Sequence, residues 1–129
     1  MNFDGIQRLA GLHAGASKSD IQAAEAGLNI SFPVNYKLLL EYTDGLLLDS
    51  GVSLYSVNDI RERNDTYEVF EYCKGFLLIG DDSGGRGFLI SLNNLESKIY
   101  GSGLGDLDPS EFVPIATSLQ DWVEKGLAI

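Results

Sequence analysis

Phe76-Leu77-Leu78-Ile79-Gly80-Asp81-Asp82-Ser83-Gly84-Gly85-Arg86-Gly87-Phe88-Leu89-Ile90 holds the centre of the fold. Two short apolar runs, Phe76–Ile79 and Gly87–Ile90, flank Asp81–Arg86, whose composition marks a turn. Such an arrangement predicts an antiparallel hairpin. Outward from it, Lys98-Ile99-Tyr100 reads as a third strand, and Val52, Leu54 and the residues around Tyr55 as a short strand before it. A glycine- and aspartate-rich loop runs from Gly101 to Pro109. The N-terminal third reads helical. Phe3, Ile6, Leu9 and Ala10 sit at helix spacing, ending near Gly11. A second helix starts at Ser19 with Gln22 as its capping-box partner, and Ile21, Ala24 and Leu28 form its apolar stripe. Pro33 suits the first position of a third helix, whose buried face is Tyr36, Leu39 and Leu40 and whose stop is Gly45. Asp59 to Tyr72 reads as a weak helix. The last helix begins near Ser118, with Leu119, Trp122 and Val123 inward. Helices first, hairpins in the middle and a closing helix predict an α+β fold, an antiparallel sheet packed by N-terminal helices and a C-terminal helix. A length of 129 residues suits one domain spanning 1–129.

Nineteen acids stand against nine Lys and Arg, for a formal charge of −10. Autonomous nucleic-acid binding is disfavoured, because phosphate backbones demand a basic footprint. Anionic membranes are disfavoured for the same reason, and a basic partner is attracted. Hydrophobic residues at 44% and charged residues at 22% argue for a packed core rather than disorder. Cys73 is alone, so no internal disulfide is expected and a reducing cytoplasm fits best. The first ten residues lack a signal peptide's basic and apolar regions, and the longest apolar run is far too short for a membrane span. Asn64-Asp65-Thr66 fits a glycosylation sequon by chance. Neither a heptad nor an apolar patch declares itself, so a monomer or weak homodimer is expected.

Candidate chemistry is weak throughout. Gly101-Ser102-Gly103-Leu104-Gly105 has its third glycine one residue early for a dinucleotide loop, and acids follow it instead of a helix. Asp81-Asp82 and Asp106-Leu107-Asp108 carry hard oxygen ligands for Mg²⁺ or Ca²⁺ but match no cation-loop pattern. Turn formation explains them. His13 is the only histidine and lies in a glycine-rich turn, where a surface or capping role is expected. Cys73 reads as a small, partly buried hydrophobe rather than a reactive thiol. No catalytic residue, metal or cofactor is expected.

The acids cluster instead. From Glu41 to Asp82 ten acids face only Arg61, Arg63 and Lys74. Asp59, Glu62, Asp65, Glu68 and Glu71 fall every third residue, so neighbours share a helix face. A solvated face explains this pattern as well as a surface for a basic partner does. Tyr67 and Tyr72, inside the acidic segment, are candidate interface anchors. Asp81, Asp82, Asp106 and Asp108 are candidate loop contacts.

One further set of residues points to a family. Leu28-Asn29-Ile30-Ser31-Phe32-Pro33, then Tyr36-Lys37, Leu40 and Asp44-Gly45, resembles the signature of the SUKH superfamily, the Smi/Knr-like domain. Leu54-Tyr55-Ser56, Asp59-Ile60, the Phe76–Ile90 hairpin and Ser118–Trp122 resemble further pieces in family order, covering Ala16 to Val123. The resemblance implies an α+β domain without a catalytic residue set. It also implies one of two roles. Bacterial members are commonly immunity proteins that neutralise toxin domains of polymorphic toxin systems, often nucleases. Fungal relatives are scaffolds regulating cell-wall assembly. The expected partner on the first role is a cognate basic toxin domain.

Overall fold

The structure, a computed structural model, describes residues 1–93 and 96–129. Among these residues the chain forms α1 (Lys18–Leu28), α2 (Val34–Tyr42), β1 (Leu46–Leu47), β2 (Ser53–Leu54), α3 (Ile60–Thr66) and α4 (Val69–Tyr72). It continues through β3 (Phe76–Asp81), β4 (Arg86–Ser91), β5 (Ile99–Gly103), a 3-10 turn (Pro109–Glu111), β6 (Val113–Ala116) and α5 (Leu119–Glu124). The strands make one six-stranded sheet in the order β1-β2-β3-β4-β5-β6, every neighbour antiparallel. This is the α+β architecture that the order of elements predicts.

The central hairpin pairs Leu77 with Ile90 and Leu78 with Leu89. Its apolar runs do not alternate with polar residues because both faces of the sheet are covered. Leu77, Leu78, Ile79, Phe88, Leu89 and Ile90 are all buried. The register puts Phe88 and Leu89 on opposite faces. Phe88 meets Trp122 of α5 edge-on at 5.1 Å. On the other face Phe76 packs edge-on against Tyr100 and Phe112, at 5.7 and 5.0 Å. A register shift between Leu78 and Gly80 brings β2 close. A Cβ at Gly80 would strike the Ser53 carbonyl oxygen and sit 2.8 Å from Leu54 Cδ2, so only glycine lets the strands approach here.

β2 is short, and beyond Leu54 the edge of β3 needs other partners. Tyr55 N–H donates to the Ile79 carbonyl at 2.9 Å. Asn64 of α3 supplies the rest. Its Nδ2 donates to the Leu78 carbonyl, its Oδ1 accepts from Leu78 N–H, and Nδ2 also donates to the Ile60 carbonyl, each at 2.9 Å. The side-chain amide thus stands in for a strand's peptide group and fixes α3 to the sheet. Asn64 is fully buried; the sequon is a packing element.

Several expectations need correction. Met1 to Leu12 is a series of turns and not a helix. Ile6 is buried and Phe3 stacks on Tyr42 at 4.2 Å, but Leu9 and Ala10 are exposed. The backbone leaves the helical path because Gly11 carbonyl accepts from Leu47 N–H at 3.0 Å and Leu12 bridges Leu46. The segment covers the edge of β1, where an open strand would invite another chain. The cap of α1 is Ser17, whose hydroxyl accepts from Asp20 N–H at 3.1 Å, rather than Ser19 with Gln22. Pro33 is the N-cap of α2 and not its first turn. β1 and β6 were not expected. The loop from Gly101 is strand as far as Gly103.

The expected Asp59–Tyr72 helix breaks in two. Ile60, Asn64, Val69 and Cys73 are its buried positions. In an unbroken helix the five-residue step from Asn64 to Val69 would swing Val69 about 140° from the core face. Glu68, in the left-handed region at φ 52°, resets the path and returns Val69 and Cys73 to the core.

Candidate functional site

The break at Glu68 shapes the acidic segment into a ridge with a groove on each side. α3 forms the ridge. Glu62 and Asp65 are about two-thirds exposed there, and each has one loose arginine partner. Arg61 Nε lies 3.6 Å from Asp65 and Arg63 Nε 3.5 Å from Glu62. Exposed pairs at such distances contribute little to stability. Glu62 also accepts from the Thr66 hydroxyl at 3.2 Å.

The first groove, about 670 Å³, lies where β1, β2 and the start of α3 meet. Tyr55, Asp59, Arg63, Asp81, Asp44 and His13 are among its walls. Tyr55 donates its hydroxyl to Asp81 Oδ2 at 2.7 Å, and the Arg63 guanidinium lies over the Tyr55 ring at 5.6 Å. Burial, and then the bond to Asp81, raise the Tyr55 pKa above its usual value, so the phenol is held as a donor. Asp44 accepts from Val57 N–H at 2.8 Å and Asp59 from the Ser56 hydroxyl at 3.2 Å. His13 N–H donates to the Thr43 hydroxyl at 2.9 Å, which ties the N-terminal arm to the end of α2. The carboxylates of this groove are therefore already hydrogen-bonded within the chain.

The second groove, about 450 Å³, lies between α4 and the β5–β6 connection. Tyr67, Glu68, Tyr72 and Asp106 line it with Leu104 and Leu107. Tyr72 is 59% exposed. Among the described residues none that lines it is basic.

The eleven candidate residues thus separate. Asp59 and Asp81 reach the first groove, and Tyr67, Glu68, Tyr72 and Asp106 share the second. Glu62 and Asp65 lie between them, and Glu71 is exposed on α4. Asp82 and Asp108 serve their own backbones. Asp108 caps the 3-10 turn, its Oδ1 accepting from Ser110 N–H at 3.0 Å and from the Ser110 hydroxyl at 2.9 Å. Asp82 Oδ1 accepts from Gly84 N–H at 2.7 Å and Arg86 N–H at 3.0 Å, closing the hairpin. Sequence reading passed over Tyr55 and Arg63 as groove residues. Arg63 was visible as one of three bases among ten acids, but nothing local placed it over Tyr55.

The N–H groups of Arg86 and Gly84 hold the Asp82 carboxyl below its ordinary value of 3.8. A carboxyl whose folded pKa is depressed stabilises the fold above its unfolded value and loses that contribution as pH falls through the folded one. Acid unfolding followed by circular dichroism is therefore expected to be shallower below about pH 4 in Asp82→Asn than in the wild type.

Among the described residues no group of three or more His, Cys, Asp or Glu side chains is placed to hold a metal ion, and no helix is long and apolar enough to cross a membrane. Cys73 is buried, and burial raises its pKa with the Asp108 charge adding to the effect.

Comparison with known proteins fits this geometry. The profile of the SMI1 / KNR4 family (SUKH-1) matches residues 15–125. The chain belongs to the SMI1 / KNR4 family. A relative in Bacillus subtilis (strain 168), the "Uncharacterized protein YnaB", is 27% identical over 113 residues, which is 84% of this chain and 74% of the relative. The family match takes in every helix and strand from α1 to α5, so the second groove lies inside the SMI1 / KNR4 region, as does the first apart from His13 and Ala14.

Proposed function

We propose that the chain is a non-enzymatic immunity protein. It would act in the cytoplasm as one domain over 1–129, binding a basic toxin domain and covering its active or substrate-binding surface. Membership of the SMI1 / KNR4 family supports a binding role. The observation that carries the electrostatic part is the exposed ridge of α3 and α4. There Glu62, Asp65, Glu68 and Glu71 face solvent. A nuclease is basic where it holds nucleic acid, so an acidic ridge competes there. Opposite charge also speeds encounter, to about 10⁸ M⁻¹s⁻¹ at low salt.

A second reading, a scaffold or regulatory module with no toxin partner, draws on Arg61 and Arg63, which partly neutralise the ridge as a solvated face would. Co-purification of the tagged chain from its source cells, washed at low salt and at about 0.5 M, separates the two. A stoichiometric basic protein, toxic alone and harmless with this chain, is the result expected for an immunity protein. Its release only at high salt is expected for the acidic ridge. No toxic partner at either salt favours the scaffold.

A further inference from the structure

We propose that the groove between α4 and the β5–β6 connection is the anchor pocket for an Arg- or Lys-bearing segment of the protein partner. This rests on the binding role proposed above and adds the chemistry of the contact. The pocket has two parts. Its apolar wall is Tyr72, Leu104 and Leu107, and its charged rim is Glu68 and Asp106. An arginine or lysine has the matching two parts, an aliphatic stem and a cationic head. Neither an acidic nor a wholly apolar segment fits, because the first meets two carboxylates and the second leaves them to be desolvated unpaired. The exposed ring of Tyr72 offers a face to a guanidinium.

The two grooves differ in what they leave available. In the first, Asp44, Asp59 and Asp81 already accept hydrogen bonds within the chain, and Arg63 adds its own positive charge. The second has carboxylates on its rim and, among the described residues, no lining cation. Charge complementarity therefore selects the second groove for a basic occupant. Glu68 also holds a left-handed backbone conformation, φ 52°, which glycine adopts without steric penalty. Glycine would make the same bend but leave the rim without its carboxylate.

The test is an amide-shift titration by NMR at low salt, using a blocked hexapeptide of alternating leucine and arginine, with a leucine–glutamate peptide as control. Shifts are expected in Thr66–Tyr72 and 104–107 with the basic peptide alone. Glu68→Gln and Asp106→Asn are each expected to weaken it about fivefold. Glu68→Gly is expected to weaken it similarly while unfolding at or above the wild-type temperature, a combination that a purely structural role for Glu68 does not produce. Saturable binding elsewhere, equal binding of the acidic peptide, or full affinity in Glu68→Gly overturns the assignment. If Glu68→Gln with Asp106→Asn still neutralises the toxin fully, the pocket is not the anchor and the immunity role stands. If no toxic partner exists but the peptide binds here, the immunity role falls and the pocket stands.

Discussion

Replacing Asn64 with leucine is expected to lower the unfolding free energy by about 4 kcal/mol, the sum for two buried backbone groups left unpaired at roughly 1–3 kcal/mol each. Leu78 N–H and the Leu78 carbonyl both bond the Asn64 side chain at 2.9 Å, and no strand lies beside them to take its place. Leucine branches as asparagine does but is larger, so no cavity is left; the loss is one of hydrogen bonds, and overpacking of the buried site adds to it. Aspartate keeps the acceptor for Leu78 N–H but turns its second oxygen toward two carbonyls, so it is expected to fail as well. Urea unfolding of Asn64→Leu and Asn64→Asp beside Thr66→Ala, an exposed neighbour, measures this. The midpoint is expected to fall steeply for the first two and to stay within about 0.5 kcal/mol for the third. A wild-type midpoint for Asn64→Leu would mean that α3 does not complete the edge of β3.

The second large effect is on association. In the triple variant Glu62→Gln, Asp65→Asn and Glu68→Gln, the rate of binding to the basic partner is expected to fall at least tenfold at low salt, since steered encounters run at about 10⁸ M⁻¹s⁻¹ or more and neutral ones at 10⁵–10⁶. Folding stability is expected to change by less than about 1 kcal/mol. The side chains are exposed, the pairs to Arg61 and Arg63 are long, and like charges along the helix are relieved. Stopped-flow association across ionic strength separates these outcomes. The wild-type rate should fall with salt until it meets that of the variant. Equal rates at low salt would assign the acids to solubility.

The parts of the fold that sequence revealed are those specified locally. The β3–β4 hairpin carries its own apolar runs and turn residues, and α5 has a serine cap at Ser118 and an apolar face with Trp122. What stayed hidden is specified across the chain. β1 is two residues long and gains its identity from pairing with Leu54 and Ser53. β6 contains Pro114, which weakens a strand pattern; its pairing with Tyr100 makes it one. The N-terminal segment has helical spacing, but docking Gly11 on Leu47 determines its path. Asn64 is legible only as part of a sequon until β3 lies beside it.

The candidate site follows the same division. The acids and tyrosines were visible as types, the acids spaced every third residue. Their grouping was not, because it depends on the five-residue step between Asn64 and Val69. That step bends the helix at Glu68 and opens the groove that Tyr67, Tyr72 and Asp106 line. Asp82 and Asp108 resemble partner contacts by composition, but their oxygens are engaged by neighbouring N–H groups. Composition alone does not distinguish a turn carboxylate from an available one.

The acidic ridge of α3 and α4 as the surface that neutralises a basic toxin is tested most directly by growth of cells that express the toxin. The wild-type chain or the triple variant is supplied at equal, measured levels. Growth is expected to return with the wild type and to fail with Glu62→Gln, Asp65→Asn and Glu68→Gln combined. Full rescue by the folded triple variant would contradict it.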